Sequence, residues 1–364
     1  MRFRCERDVL AEALGTAGRA VANRSGSLPV MSGIRMQLTG DDLELTGSDL
    51  DLTITVSITV SGDGDGRTVI PAKLALDVVR SLEPGAVEVS VDGDTAQISC
   101  GRSEFDLNLF PAEEYPQLSE AAGDPLTIAA LELAEGLRQV VPAASSDESR
   151  PILTGVLIAA EGSGLRLVAT DSYRLSVRDL PGASVLGEGE SVLVPSRALQ
   201  EVGRILEDES DLQVILGERD ASFECSNVRV TTRLIEGDFP NYRGLIPSDQ
   251  PNKLTIGRLA LIEAVKRVKL LAREGTPVRL TFMSDGLELV AITQDVGRAS
   301  EQLDSKYEGS ELTVAFNPEF LVEGLEVTPG DEVSLETVDS LKPALVRSTE
   351  STDFLYLLMP VRVS

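Results

Sequence analysis

The stretch Leu43-Glu-Leu-Thr-Gly-Ser-Asp49 returns as Leu165-Arg-Leu-Val-Ala-Thr-Asp171 and again as Leu287-Glu-Leu-Val-Ala-Ile-Thr293. The spacing is 122 residues both times, Leu43 to Leu165 and Leu165 to Leu287. Each copy opens with apolar residues at alternate positions, the period of a half-buried strand. A second landmark repeats in step. Val69-Ile-Pro71, Leu193-Val-Pro195 and Phe316-Asn-Pro318 each precede a helical pattern. In the first, Leu74, Val78, Val79 and Leu82 share a face; in the second, Leu199, Val202, Ile205 and Leu206; in the third, Phe320, Leu321 and Leu325. The prolines are expected in the first helical turn, where a missing N–H costs nothing. Pro84-Gly85 and Pro329-Gly330 are stop signals.

Each repeat opens with a longer amphipathic stretch. Val9, Leu10, Ala13, Leu14, Ala17 and Val21 form the first, and Leu131, Leu133, Leu137, Val140 and Val141 the second. The third has Leu259, Leu261, Ile262, Val265, Val268 and Leu271. Such spacing predicts helices with these faces packed on a sheet. Leu52–Val60, Val87–Val91 and Val228–Leu234 read as strands between them. Turn-rich polar segments, Ser119–Pro125 and Ile246–Pro251, separate the repeats. The expectation is α+β: three tandem similar domains, 1–122, 123–249 and 250–364, each with two helices on antiparallel sheets. A repeat this long exceeds a solenoid unit and should carry its own core. Cys100 and Cys225 fall in corresponding strands and are expected as small buried apolar residues.

Composition narrows the function. The 364-residue chain has no histidine, which removes the commonest general base and metal ligand. Three cysteines, Cys5, Cys100 and Cys225, with no CxxC spacing, fit a reducing cytoplasm. No apolar run is long enough to span a membrane, and MRFRCERDVL lacks a signal-peptide core. Net charge is −26, the wrong sign for a protein coating nucleic acid with its whole surface, so any such contact must be local. Asp63-Gly-Asp-Gly66 lacks the remaining ligands of a calcium loop and reads as a hairpin. Carboxylate pairs such as Asp147 and Glu148 have no nucleophile or phosphate-binding glycine loop beside them, so no enzyme, metal or cofactor is expected. A triplicated structural or adhesive protein is the competing reading.

The threefold repeat, together with Ala169-Thr-Asp-Ser-Tyr-Arg-Leu175, Asp238-Phe-Pro-Asn-Tyr242 and Tyr356-Leu-Leu-Met-Pro-Val-Arg362, resembles the bacterial sliding clamps, beta subunits of the replicative DNA polymerase. The resemblance runs the length of the chain. It implies a homodimeric six-domain ring around double-stranded DNA, sheets outside and helices lining the hole, with polymerase and clamp loader held by short peptides. Heterologous contacts of this kind close into a ring when the rotation is right.

The resemblance also distributes roles. Arg24 and Arg150 match loop arginines on DNA, and Lys73, Arg80, Arg197 and Arg204 match basic positions of the second helices. Arg258–Arg273 bears Arg258, Lys266, Arg267, Lys269 and Arg273 against Glu263 as its one nearby acid, and Lys266 and Arg267 are expected to face DNA. The partner-peptide cleft falls on Leu153, Thr170, Arg174, Leu175, Pro240, Leu245, Leu357, Met359, Pro360 and Arg362. Tyr173 stands where relatives often have histidine, Gly244 where they have arginine, and Pro343 where they have a small polar residue. For the subunit interface the matches are Phe105 and Leu107 in the first repeat and Leu270 and Leu271 in the third.

Overall fold

The computed structural model describes residues 1–22, 28–183, 185–206, 211–273 and 275–362. The three copies of the opening motif lie in equivalent strands: Asp42–Ser48, Gly164–Thr170 and Gly286–Thr293. Among the described residues there are six α-helices, two per repeat: α1 Arg7–Gly18, α2 Ala72–Ser81, α3 Ala130–Val140, α4 Ser196–Ile205, α5 Arg258–Lys269 and α6 Pro318–Val327. Among the prolines, Pro318 lies inside its helix, whose N-terminus Asn317 caps through Oδ1 to the Glu319 N–H at 2.8 Å. Pro71 and Pro195 instead end the preceding strands.

The chain forms two units: Met1–Ala130 with Arg204–Leu234, and Leu131–Gly203 with Ile235–Ser364. The first holds a five-stranded and an eight-stranded antiparallel sheet. In the larger one, Leu52–Thr59 of the first repeat pairs with Val228–Arg233 of the second, from Val56 opposite Val228 to Leu52 opposite Thr232. The other unit holds a nine-stranded and a four-stranded sheet. There Arg174–Leu180 of the second repeat pairs with Phe354–Leu358 of the third, from Arg174 opposite Leu358 to Arg178 opposite Phe354. Two sheets therefore run straight across the boundaries between repeats.

Helix stripes supply the cores. Leu10, Ala13, Leu14 and Ala17 of α1 are buried, and α1 packs on the strands Asp42–Ser48 and Leu52–Thr59. Leu261, Ile262, Ala264, Val265 and Val268 of α5 are buried in a cluster with Phe282, Phe316 and Leu325. Several expected core residues lie outside these stripes. Leu131 and Leu259 are exposed, because two residues before Leu133 and Leu261 they fall on the opposite side of their helices. Val9 and Leu74 are exposed too; Ala72 and Ala75 take the inner face of α2 that Leu74 was expected to share. Phe320 is only partly buried, for reasons given below. Cys225 is buried as expected, but Cys100, in a strand next to a sheet edge, is only partly so.

Gly47 interrupts the apolar alternation of the first motif copy for a steric reason. A Cβ there would lie 2.0 Å from the Ala17 carbonyl oxygen at the end of α1. Gly47→Ala should therefore force helix and strand apart and destabilise the fold by about 1–3 kcal/mol, as overpacked cores do. A lowered urea midpoint checks this; an unchanged one contradicts the close approach.

Candidate functional site

The motif Ala169–Leu175 is a hairpin before it is anything else. Asp171 turns the chain: its Oδ1 accepts the N–H groups of Tyr173 at 2.8 Å and Arg174 at 2.9 Å, and Ser172 takes a positive φ. Thr170 Oγ1 donates to the Arg174 carbonyl at 2.6 Å. Arg174 is buried, 8% exposed, yet every part of its guanidinium is engaged. Its Nε donates to Asp171 Oδ2 at 3.0 Å, Nη2 to the Pro142 carbonyl at 2.6 Å, and Nη1 to Glu323 of α6. The Phe320 ring lies 4.3 Å below it. Phe320 still packs against the core cluster, but it is only partly buried because Phe320 and Glu323, one turn apart on α6, both serve the arginine. Tyr356 joins them, donating to the Phe320 carbonyl at 2.9 Å, and burial pushes its phenol well above the ordinary value against the pull of Arg174.

Beside this hub lies an apolar floor. Leu175, Leu357, Leu345, Leu355 and Tyr242 form one buried cluster, with Phe239 and Ile246 packed at its margin. Tyr242 anchors the Asp238–Tyr242 turn, and Arg243 ties it down with bonds of 2.6 and 3.2 Å to Glu161. Pro240 and Leu245 are thereby left exposed, Leu245 by 49%. On the other side the tail leaves its strand with the Met359 N–H bonded to the Tyr173 carbonyl at 2.8 Å and the Val361 N–H to that of Ala315 at 2.8 Å. Met359 and Tyr173 face solvent, and the Tyr173 ring stacks 6.4 Å from Phe320.

The residues expected to take a partner peptide thus separate by role. Thr170, Arg174, Leu175, Leu357 and Leu153 are buried. Pro240, Leu245, Met359 and Arg362 are exposed, and Pro360 is half-buried. Gly244 has open space, with Asn241 Nδ2 4.0 Å from a Cβ built there. Pro343 immediately precedes the strand Ala344–Ser348. Glu323 and Leu345 were not singled out in the sequence; Phe320 was read there as core, and Phe239 and Tyr242 only as parts of a motif. The i, i+3 pair Phe320 and Glu323 was the available signal, but a helix with an apolar stripe hides it.

For the basic positions, Arg24 lies outside the described residues. Lys73, Arg80, Arg197 and Arg204 are exposed on α2 and α4. Arg150 is held by Asp147 at 2.9 Å, while Asp147 accepts from the Ser149 hydroxyl at 2.6 Å; the Ser149 bonds, then Arg150, hold that carboxyl below its usual range. On α5 the run of cations is not isolated, as its sequence neighbourhood suggested. Lys266 pairs with Glu326 at 2.9 Å, Arg267 with Glu301 at 2.5 Å and Lys269 with Glu319 at 3.0 Å. Arg258 donates to the carbonyl of Gly330 at 2.7 Å. Acids distant in sequence therefore balance much of the helix charge.

At the expected subunit interface, Leu107 is 4% exposed and packs within its own sheet. Phe105, two residues away on the same edge strand Ser103–Asn108, remains 38% exposed. Leu270, just past α5, is 83% exposed, and Leu271 is half-buried with its carbonyl bonded to Thr293 Oγ1 at 2.6 Å. Ile292 and Val296 of the adjoining hairpin are exposed as well.

Comparison with known proteins gives the same order of parts. Residues 1–119, 127–241 and 243–362 match the models of the N-terminal, central and C-terminal domains of the DNA polymerase III beta subunit. A beta sliding clamp of Streptomyces coelicolor is 37% identical, with all of both chains covered. The crystal structure of the DNA polymerase sliding clamp from Bacillus subtilis superposes with a TM-score of 0.92 at 30% identity, again over both whole chains. One from Bartonella birtlesii, bound to griselimycin, gives 0.93 at 31% over the whole of both.

The site makes a stability contrast. Arg174→Ala leaves the buried Asp171 without its cation and should cost about 3–5 kcal/mol. Met359→Ala, at the surface, should stay within about 0.5 kcal/mol of the parent. Denaturant titrations of the two variants check this, and equal midpoints would remove the arginine from its structural role.

Proposed function

This chain belongs to the family of bacterial DNA polymerase III beta subunits, the sliding clamps, and from that membership we propose that two copies close head to tail into a ring around duplex DNA. The family is a processivity factor of DNA synthesis and not a catalyst. The domains are taken as 1–122, 123–249 and 250–364, and the place of action as the cytoplasm. Among the described residues no helix is long and apolar enough to cross a membrane.

The observation that carries the ring is the pair of unsatisfied surfaces in the first and third repeats. Ser103–Asn108 is an unpaired sheet edge carrying exposed Phe105 between Glu104 and Asp106. In the third repeat, exposed Leu270 is followed by half-buried Leu271, and Gly297–Leu303 is an edge strand of the four-stranded sheet. An open edge invites pairing, and two different surfaces of one chain meeting make a heterologous match. Phe105, with Leu270 and its exposed neighbours, is the proposed apolar centre, with Leu107 on the same face of the strand as Phe105 and Leu271 next to Leu270 in the chain.

Topological linkage removes the need for tight binding, so DNA contacts can be phosphate-directed and sequence-independent. We assign them to Arg24, Lys73, Arg80, Arg150, Arg197, Arg204, Lys266 and Arg267, the acids beside several of these keeping the contacts loose. The partner site is the apolar floor between Leu245 and Met359, receiving short peptides of polymerase, clamp loader and other clamp-binding proteins. Peptide ordering offsets much of the apolar gain, which suits partners that must exchange.

Three outcomes follow. Light scattering should give twice the chain mass, and Leu270→Asp, which places an unpaired charge in the contact, should give folded monomers. Protein loaded by a clamp loader should stay on nicked circular DNA and be lost on linearisation; retention on the linear form would defeat the ring. Met359→Ala should weaken binding of a labelled peptide that has a glutamine and a pair of large apolar residues, read by fluorescence anisotropy.

A further inference from the structure

Next to the apolar floor, and reaching from Met359 towards the end of α5, is a cavity of about 820 Å³. Phe320, Met359, Pro360 and Val361 give it an apolar lining. Its charged members are Lys269, Arg273 and Glu319. Glu319 is already neutralised by Lys269 at 3.0 Å. Arg273 is exposed, and among the described residues no carboxylate pairs with it. Lys266, Arg267 and Lys269 of the preceding helix all have acidic partners, which leaves the Arg273 guanidinium as the member of this run open to a ligand's carboxylate at the cavity.

We infer that Arg273, at the edge of this part of the partner site, selects peptides carrying a carboxylate beside their apolar residues by pairing with that carboxylate. The inference rests on the peptide reading of the neighbouring cleft and adds to it a preference in charge. The chemistry is a match of shapes as well as of sign. The guanidinium offers a planar fork of donors to a carboxylate, while Phe320 and Met359 give the flanking apolar side chain a surface to leave water on. Lys269 cannot take this part without abandoning Glu319. A peptide neutral at that position would still bury its apolar residues but leave Arg273 to water.

The test uses the full chain and fluorescein-labelled peptides with a glutamine and a pair of large apolar residues. They differ only in a glutamate or glutamine placed on either flank. At low salt one of the glutamate peptides should bind the parent roughly two- to fivefold more tightly than its glutamine twin, the range of a solvent-accessible ion pair, and the ratio should shrink as salt rises. In Arg273→Gln the ratio should fall to about one, and in Arg273→Glu it should invert. Equal binding of both twins to the parent, or a preference that survives in Arg273→Gln, overturns the inference while leaving the cleft intact. Failure of every peptide to bind the parent removes the cleft reading and this one with it.

Discussion

Backbone hydrogen bonding between Arg174–Leu180 and Phe354–Leu358 is the constraint on which the candidate partner site depends. This antiparallel ladder joins the second repeat to the last strand of the third. Its register sets Leu175 opposite Leu357, placing both in one apolar cluster. Because side chains alternate across a strand, a slip of one residue would turn this pair to the other face and dismantle the floor. The same ladder delivers the tail to Tyr173, where the Met359 N–H is captured.

Arg174 performs a second joining from within. Its guanidinium binds the turn at Asp171, the Pro142 carbonyl and Glu323 of α6, so one side chain links three separate segments. A buried cation is tolerable when carboxylates and a carbonyl replace its water, and the Phe320 face adds to that replacement. The consequence for function is rigidity. The exposed residues that a peptide would meet, Tyr173, Met359 and Leu245, project from a base whose conformation is set by buried polar bonds. Preorganised surfaces lose less entropy when a flexible ligand arrives.

Electrostatics work at two ranges. At long range a charge of −26 repels DNA from most of the surface, which suits a protein that must move along DNA without adhering to it. At short range the cations of α5 are shared with Glu301, Glu319 and Glu326. A phosphate would compete with these carboxylates, so each contact gains little and many contacts remain exchangeable. Exposed pairs of this kind are individually weak and screened by salt.

The sequence alone determined the threefold repeat, the helix pairs, the strand periods and the absence of histidine chemistry. All of these are local patterns that recur at fixed spacing. It also singled out Leu175, Leu357 and Met359 by their motifs, which the fold brings together along one ladder. What it could not supply was anything set by segments meeting from a distance. The pairing of α5 cations with Glu326 and Glu301, the stacking of Arg174 on Phe320, and the burial of Leu107 beside exposed Phe105 all arise that way. Leu131 and Leu259 look like core in a list of apolar residues but face water in the fold, and their place two residues before Leu133 and Leu261 was the helical spacing that marked them. Periodicity is written in the chain; the partner that each face meets is decided by packing, where burial, charge and register must be satisfied together.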